Sequence, residues 1–461
     1  MSDAQGTLAD TLKRESRDAL SAGDRYLALL AIVLLGYALM GKGFAYLGFP
    51  PLYVGEMAFL TGIVVFLRIG AYVGTLATLP ALLLAALMAL VLARTLPFVG
   101  LYGFDSLRDS AIIIYGGFAF IVISLLLEDA RRINVMLRYY RIMLASFPAM
   151  LVGLLLAKYW GNDIPRLYGP VPIVDIGPSA VGTHLAGGMV FALIGYRKVS
   201  FFWIVVWFAM LVLVSATNRG ATLAVIVPVT IAMLALGRYR LMLATVVVTV
   251  GVFAALLALE STFGAYEEAR GGSWERPVSA HQIVENAKSI IGQSGEQTEG
   301  TKLWRLNWWD VIINDTIYGP NFWTGRGFGI NLADADGFFE GSIGGRDPRP
   351  PTRSPHNAHM TLLARAGVPG LVLWALVLVS WFGMLMRAIL TARARGHKQW
   401  ADLFLFIGCY AAAILINATF DVVLEGPMQG IWFWCLFGFG VGSVMIYRAQ
   451  PFNGFRWYTG F

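Results

Sequence analysis

Apolar residues come in runs of about 20, the length that a bilayer core demands of a helix, and polar or basic breaks separate them. The runs recur from Tyr26 to Tyr447. They predict an all-α polytopic membrane protein with about twelve transmembrane helices, since periods and lengths of this kind leave little room for strands. The spans fall at 26–46, 52–67, 72–93, 110–127, 140–157, 180–196, 199–216, 220–236, 241–259, 367–386, 402–420 and 427–447. The predicted organisation is a polar N-terminal tail (1–25), nine helices (26–259), one large and partly helical loop (260–366), three helices (367–447) and a C-terminal tail (448–461).

Charge then orients the helices. An even number of spans puts both termini on one side. Arg68, Arg131, Arg132, Arg138, Arg197, Lys198, Arg238, Arg240, Arg387, Arg393, Arg395 and Lys398 all fall in breaks on that side. Basic residues favour the cytoplasmic side, so both termini are expected there and the 260–366 loop on the outer face. No apolar core with a small-residue cleavage site occurs in the first 25 residues, which read as a retained cytoplasmic tail.

Composition agrees with this picture. The chain has 461 residues, 57% of them hydrophobic and 14% charged, and its mean hydropathy is +0.65. Its formal charge of +7 is explained by the loop bias and gives little support to nucleic-acid binding. Cys409 and Cys435 lie inside apolar runs and read as packing residues rather than a disulfide or metal pair.

Long loops carry function more often than short ones. From Trp304 to Phe339 this loop is rich in Trp, Phe and Ile, whereas Gly341 to Pro351 has little capacity to pack and reads as a lid or linker. The segment TKLWRLNWWDVIIND is amphipathic, with Leu306, Trp309, Ile312 and Ile313 as its predicted apolar stripe. Gly325, Gly327 and Gly329 permit a tight turn that can approach a phosphate, but they lack the strand and helix of a dinucleotide fingerprint.

Titratable chemistry concentrates where that loop ends. In RSPHNAHMTLLARAGVPGLVLW, Ser354 is a candidate N-cap and Pro355 fits the first helical position. His356 is then expected in the first turn, where the helix dipole disfavours imidazolium and keeps a base available. His359 follows three residues later. Read locally, both histidines equally well cap and solvate the chain's return to the bilayer. Two arginines belong to the same predicted face: Arg219, at the tip of a hairpin in SATNRGAT, and Arg305 in the amphipathic segment. Each either solvates the membrane surface or points into a cavity. Gly220 would let a bulky ligand approach the backbone. An HxxH pair can bind zinc, but no third ligand stands nearby at helical spacing, so no metal and no cofactor are expected.

Taken in order, TNRGAT, WRLNWWDVIINDTIYGPNFWTGRGFG and SPHNAHMTLLARAGVPGLVLW resemble the O-antigen ligase and polysaccharide polymerase superfamily. GFPPLYVGEMAFLTG is similar to members from exopolysaccharide loci, and the resemblance runs from Pro50 to Leu376. It implies a C-type glycosyltransferase fold in a bacterial inner membrane with the large loop periplasmic. It also implies transfer of a glycan from undecaprenyl diphosphate to an acceptor hydroxyl, the acceptor being a glycan or a lipid A core, with membrane lipids as surroundings. His356 matches the family's essential loop histidine, and Arg219 and Arg305 match its two arginines. Asn357, His359, Asn218 and Arg326 are expected in support. The stretch from Gly341 to Arg353 and the acid Asp310 depart from the family pattern and leave the acceptor open.

The residues agree with that chemistry, because transfer from a lipid diphosphate needs a base for the hydroxyl and positive charge for the departing diphosphate. The competing class is a transporter or flippase of lipid-linked glycans. It accounts for the outer arginines and gives no reason for a histidine at a helix start; transporters also tend to show repeats and broken midplane helices.

Overall fold

The computed structural model describes residues 21–168, 171–263, 278–290, 296–338 and 353–450. Most of the two predicted tails and the Gly341–Pro351 linker lie outside these residues. The longer helices are α1 (Ala22–Met40), α2 (Val54–Ile69), α3 (Leu79–Tyr102), α4 (Phe104–Ile114), α5 (Gly117–Glu128), α6 (Arg132–Ser146), α7 (Pro148–Trp160) and α8 (Pro178–Leu193). They continue with α9 (Phe201–Thr217), α10 (Arg219–Ala235), α11 (Tyr239–Phe263), α12 (Ala280–Ile290), α13 (Glu296–Thr316), α14 (Ala358–Ala394), α15 (Lys398–Ala418) and α16 (Pro427–Ala449).

Every predicted span coincides with helix, but the expected twelve crossings are not all long enough. Among the described residues six helices have the length and apolarity to cross a membrane, or eight if each of two bent pairs is one span. The bends are 42° between α4 and α5 and 47° between α6 and α7. Pro148 begins α7 and cannot donate the backbone bond that would continue α6. The other four, α2, α8, α9 and α10, have 16 or 17 residues. At 1.5 Å per residue that is ~25 Å, less than a hydrocarbon core of about 30 Å. Hydropathy runs through helix ends, whereas caps such as Asn218, which accepts from the Ala221 N–H at 2.9 Å, stop the helix.

The core runs lengthwise along α16, which packs chiefly on α5, while α15 packs on α8, α10 and α14, and α14 also on α3. Trp381, Trp434, Phe433 and Phe437 meet in it as tilted or edge-on rings. At the other extreme α11 stays outside the bundle, with Leu243, Val246, Val247 and Val250 all more than half exposed. Such a surface is tolerable only in an apolar solvent, and the chain is an integral membrane protein. Both cysteines are buried and free.

Arg132, expected as a loop residue that sets topology, has another task. It is 2% exposed and pairs with Asp24 at 2.8 Å and Glu128 at 2.5 Å. It also donates to Ser21, the N-cap of α1, and so fastens the start of α1 to the turn between α5 and α6.

The large loop folds onto the bundle. Its amphipathic stripe is Trp304, Trp308 and Ile312, which pack with Leu332, Leu363 and Ala364. Leu306, expected in the stripe, is 44% exposed. α14 begins nine residues before the predicted span and is broken at Gly367, with φ 72° and ψ −173°. A Cβ there would lie 2.6 Å from the Phe322 carbonyl oxygen. The break frees the carbonyls of Ala364 and Arg365, and the N–H groups of Arg326 and Gly327 reach them at 2.8 and 3.0 Å. The glycine triplet therefore approaches protein rather than phosphate. A Cβ at Gly325 would overlap the Arg365 backbone, and one at Gly327 the Phe98 ring.

Candidate active site

His356 lies outside the helix it was expected to begin. Asn357 is the N-cap of α14, its side-chain oxygen accepting from the N–H groups of His359 and Met360 at 2.9 and 3.2 Å. An asparagine in extended conformation satisfies two orphan donors at once, so Ser354 and Pro355 are left in the approaching loop. His356 takes φ 51°, the left-handed region that a non-glycine residue occupies at a cost. The expected placement beside the open helix end is thereby replaced: the ring faces a carboxylate.

That carboxylate is Asp421, whose Oδ1 stands 3.5 Å from His356 Nδ1. It lies in the turn between α15 and α16, far from His356 in sequence, and accepts from the Ser179 hydroxyl and from the Val422 N–H. Burial opposes its charge, but the His356 imidazole and the Ser179 hydroxyl outweigh that, and its pKa is held below the usual carboxylate range. The edge of Trp304 closes the other side of the imidazole, at 6.2 Å between ring centroids. The His356 side chain remains 28% exposed, so its second nitrogen is within reach of a substrate.

Ser179 links this pair to the first arginine. Its hydroxyl accepts from Asn218 Nδ2 at 3.1 Å, and Asn218 is the N-cap of α10, whose first residue is the half-buried Arg219. Asn417 donates to the Ser179 carbonyl at 2.7 Å and to the Thr183 hydroxyl at 3.1 Å. Gly220 does not face open space for a ligand, because a Cβ there would lie 2.8 Å from Phe420. Arg305 is half-buried on α13 next to Trp304, and α13 is tied to the His356 loop by a 2.9 Å bond from Trp309 to the Pro355 carbonyl. The elements carrying His356, Arg219 and Arg305 thus converge on one end of the bundle.

The expected supporting residues separate into two groups. Asn357 and Asn218 cap the helices on either side of the site. His359 accepts from the Trp374 indole at 2.9 Å and meets Thr419 at 3.3 Å, bracing α14 across its break. With Nδ1 accepting, its proton belongs on Nε2, and this histidine does not point with His356 at a common ligand. Arg326 is spent on Asp315 at 2.7 Å and on Asp336, within the folded loop.

Beneath the site lies a second charged group. Arg365, 2% exposed, pairs with Asp109 at 2.9 Å, and Arg353 reaches Asp105 at 3.3 Å. Glu425 accepts from Thr361 at 2.7 Å. Burial raises its pKa, and the Thr361 hydrogen bond and the Arg365 charge offset only part of that.

Ser179, Asp421 and Glu425 were not among the site residues expected from the sequence. Nothing local marks Ser179, which is 242 residues from its partner.

No curated protein matches the chain. Residues 180–375, which hold Arg219, Arg305 and His356, match the family model described as O-antigen ligase, and this match supports the likeness to the O-antigen ligase and polysaccharide polymerase superfamily.

Proposed function

We propose that the chain transfers a glycan from an undecaprenyl-diphosphate-linked donor to an acceptor hydroxyl at the periplasmic face, as an O-antigen ligase or polysaccharide polymerase. The family supports a glycosyltransferase of this broad kind. The observation that carries the finer reading is the Asp421–His356 pair, set where the elements bearing Arg219 and Arg305 meet.

The carboxylate faces Nδ1, so the neutral ring holds its proton there and presents Nε2 as the acceptor of a second proton. His356 Nε2 takes the proton of the acceptor hydroxyl, and the oxygen forms a bond to the anomeric carbon of the donor sugar. The bond from that carbon to the diphosphate breaks, and undecaprenyl diphosphate leaves with the electron pair. Arg219 and Arg305 offset the charge gathering on its oxygens, for which planar guanidinium groups are suited. The proton passes from His356 to solvent or to the diphosphate. No metal takes part in this scheme, since the arginines supply the positive charge and the two histidines of HxxH point apart.

Topology agrees with the outer placement. The helices that end at the site begin at Phe201 and Lys398, beside Arg197, Lys198, Arg393 and Arg395. These basic clusters at the far end of the helices support a cytoplasmic side there and an outer side at the site. The test is purified protein in liposomes with lipid-linked donor and acceptor. New covalent product, formed also with a chelator present, is expected. Movement of donor across the bilayer without a new bond would make the chain a flippase, and loss of product with the chelator would bring back a metal.

A further inference from the structure

At the end of the bundle opposite His356, a recess of about 360 Å³ opens between α10, α14 and α15, lined by Ala235, Leu236, Arg393, Lys398, Ala401 and Asp402. This is far more than one water needs. Asp402 is 6% exposed, yet among the described residues its carboxylate makes no hydrogen bond to protein. Lys398, Arg393 and Arg238 stand close enough for their charges to act on it. The carboxylate opens onto the recess without a protein donor, and three cations around it that form no salt bridge with it point to a ligand between them. Arg393 uses one N–H on the Ala235 carbonyl, at 2.7 Å, and keeps others for an anion.

The two signs together select the ligand. A simple anion would meet Asp402, and a simple cation would meet the three basic residues. A zwitterion with phosphate and ammonium joined by a short link satisfies both. The depth selects a lipid, because the recess sits at the hairpin joining two spans, where headgroups lie. Leu234 and Leu390, on the same helices beside it, are 45% and 59% exposed and offer acyl chains an apolar surface. We infer that this recess binds the headgroup of phosphatidylethanolamine, its phosphate on Arg393 and Lys398 and its ammonium on Asp402.

The inference is independent of the glycosyltransferase reading. Native mass spectrometry of the full-length protein, given equal amounts of phosphatidylethanolamine, phosphatidylcholine and phosphatidylglycerol with the same acyl chains, tests it. The ethanolamine lipid is expected to be enriched about fivefold, as for a partly wet charge pair. Asp402→Asn should bring it level with phosphatidylcholine, and Arg393→Ala should lower all three. No enrichment, or enrichment unchanged by Asp402→Asn, overturns the assignment. Should Asp402→Asn fail to fold, stepwise N-methylation of the lipid replaces it: binding falls with each donor removed, and a flat series contradicts the site. Free phosphoethanolamine that stabilises the protein as well as the lipid does would reassign the recess to a soluble ligand.

Discussion

At the residue scale the imidazole depends on groups from distant parts of the chain. Asp421 orients His356 and touches no substrate in the proposed scheme, so Asp421→Asn should lower kcat by about 10²-fold or more, leave the donor KM near its wild-type value, and displace the pH profile. Arg219→Lys should instead act on the diphosphate. A parallel loss of kcat and donor affinity in both variants, with no change in pH profile, would mean that Asp421 serves only the fold. Glu425 gives a stability test. Its folded pKa is raised, so its contribution is fully present below the unfolded value and is lost as pH rises through the folded value. Wild-type Tm should fall from pH 5 towards pH 8 relative to Glu425→Gln, whose curve lacks this component. Identical slopes would show that Glu425 is not buried in its charged form. The Arg219, Arg305 and His356 elements were legible because arginines and histidines at span ends need an explanation. Ser179 was not, since a serine in an apolar run carries no local signal.

At the element scale, helix positions could be read from the sequence and helix ends could not. Runs of Leu, Val and Ile mark the interior of α14, but its start at Ala358 is set by the Asn357 side chain and its break by Gly367. Residue 367 was expected to open a continuous span, and the reason for its break is tertiary: the 322–327 loop fills the gap in the backbone ladder. Gly367→Ala places a side chain in a region reserved for glycine, at about 1–3 kcal/mol, before the overlap with Phe322 is counted. It should lower Tm and open the 320–330 segment to protease while leaving α15 and α16 protected. Unchanged cleavage would show that the loop holds its place without the break.

For the whole molecule, composition settled the solvent before any contact was known, and the exposed flank of α11 needs that solvent. Among the described residues length and apolarity support six to eight spans rather than twelve, because caps and proline stop helices that hydropathy windows run through. Orientation is testable with single cysteines, since both native thiols are buried. Asp310→Cys on the folded loop should react with a membrane-impermeant maleimide in intact spheroplasts, and Arg395→Cys only after permeabilisation. The reverse pattern would invert the topology and remove the site from the periplasmic face.

In the proposed transfer everything turns on His356 as the base. The most direct measurement is single-turnover transfer in liposomes by His356→Ala, at matched folded abundance and with donor binding measured in parallel. A loss of roughly 10²–10⁴-fold with donor affinity retained is expected; transfer at the wild-type rate would show that another group takes the proton.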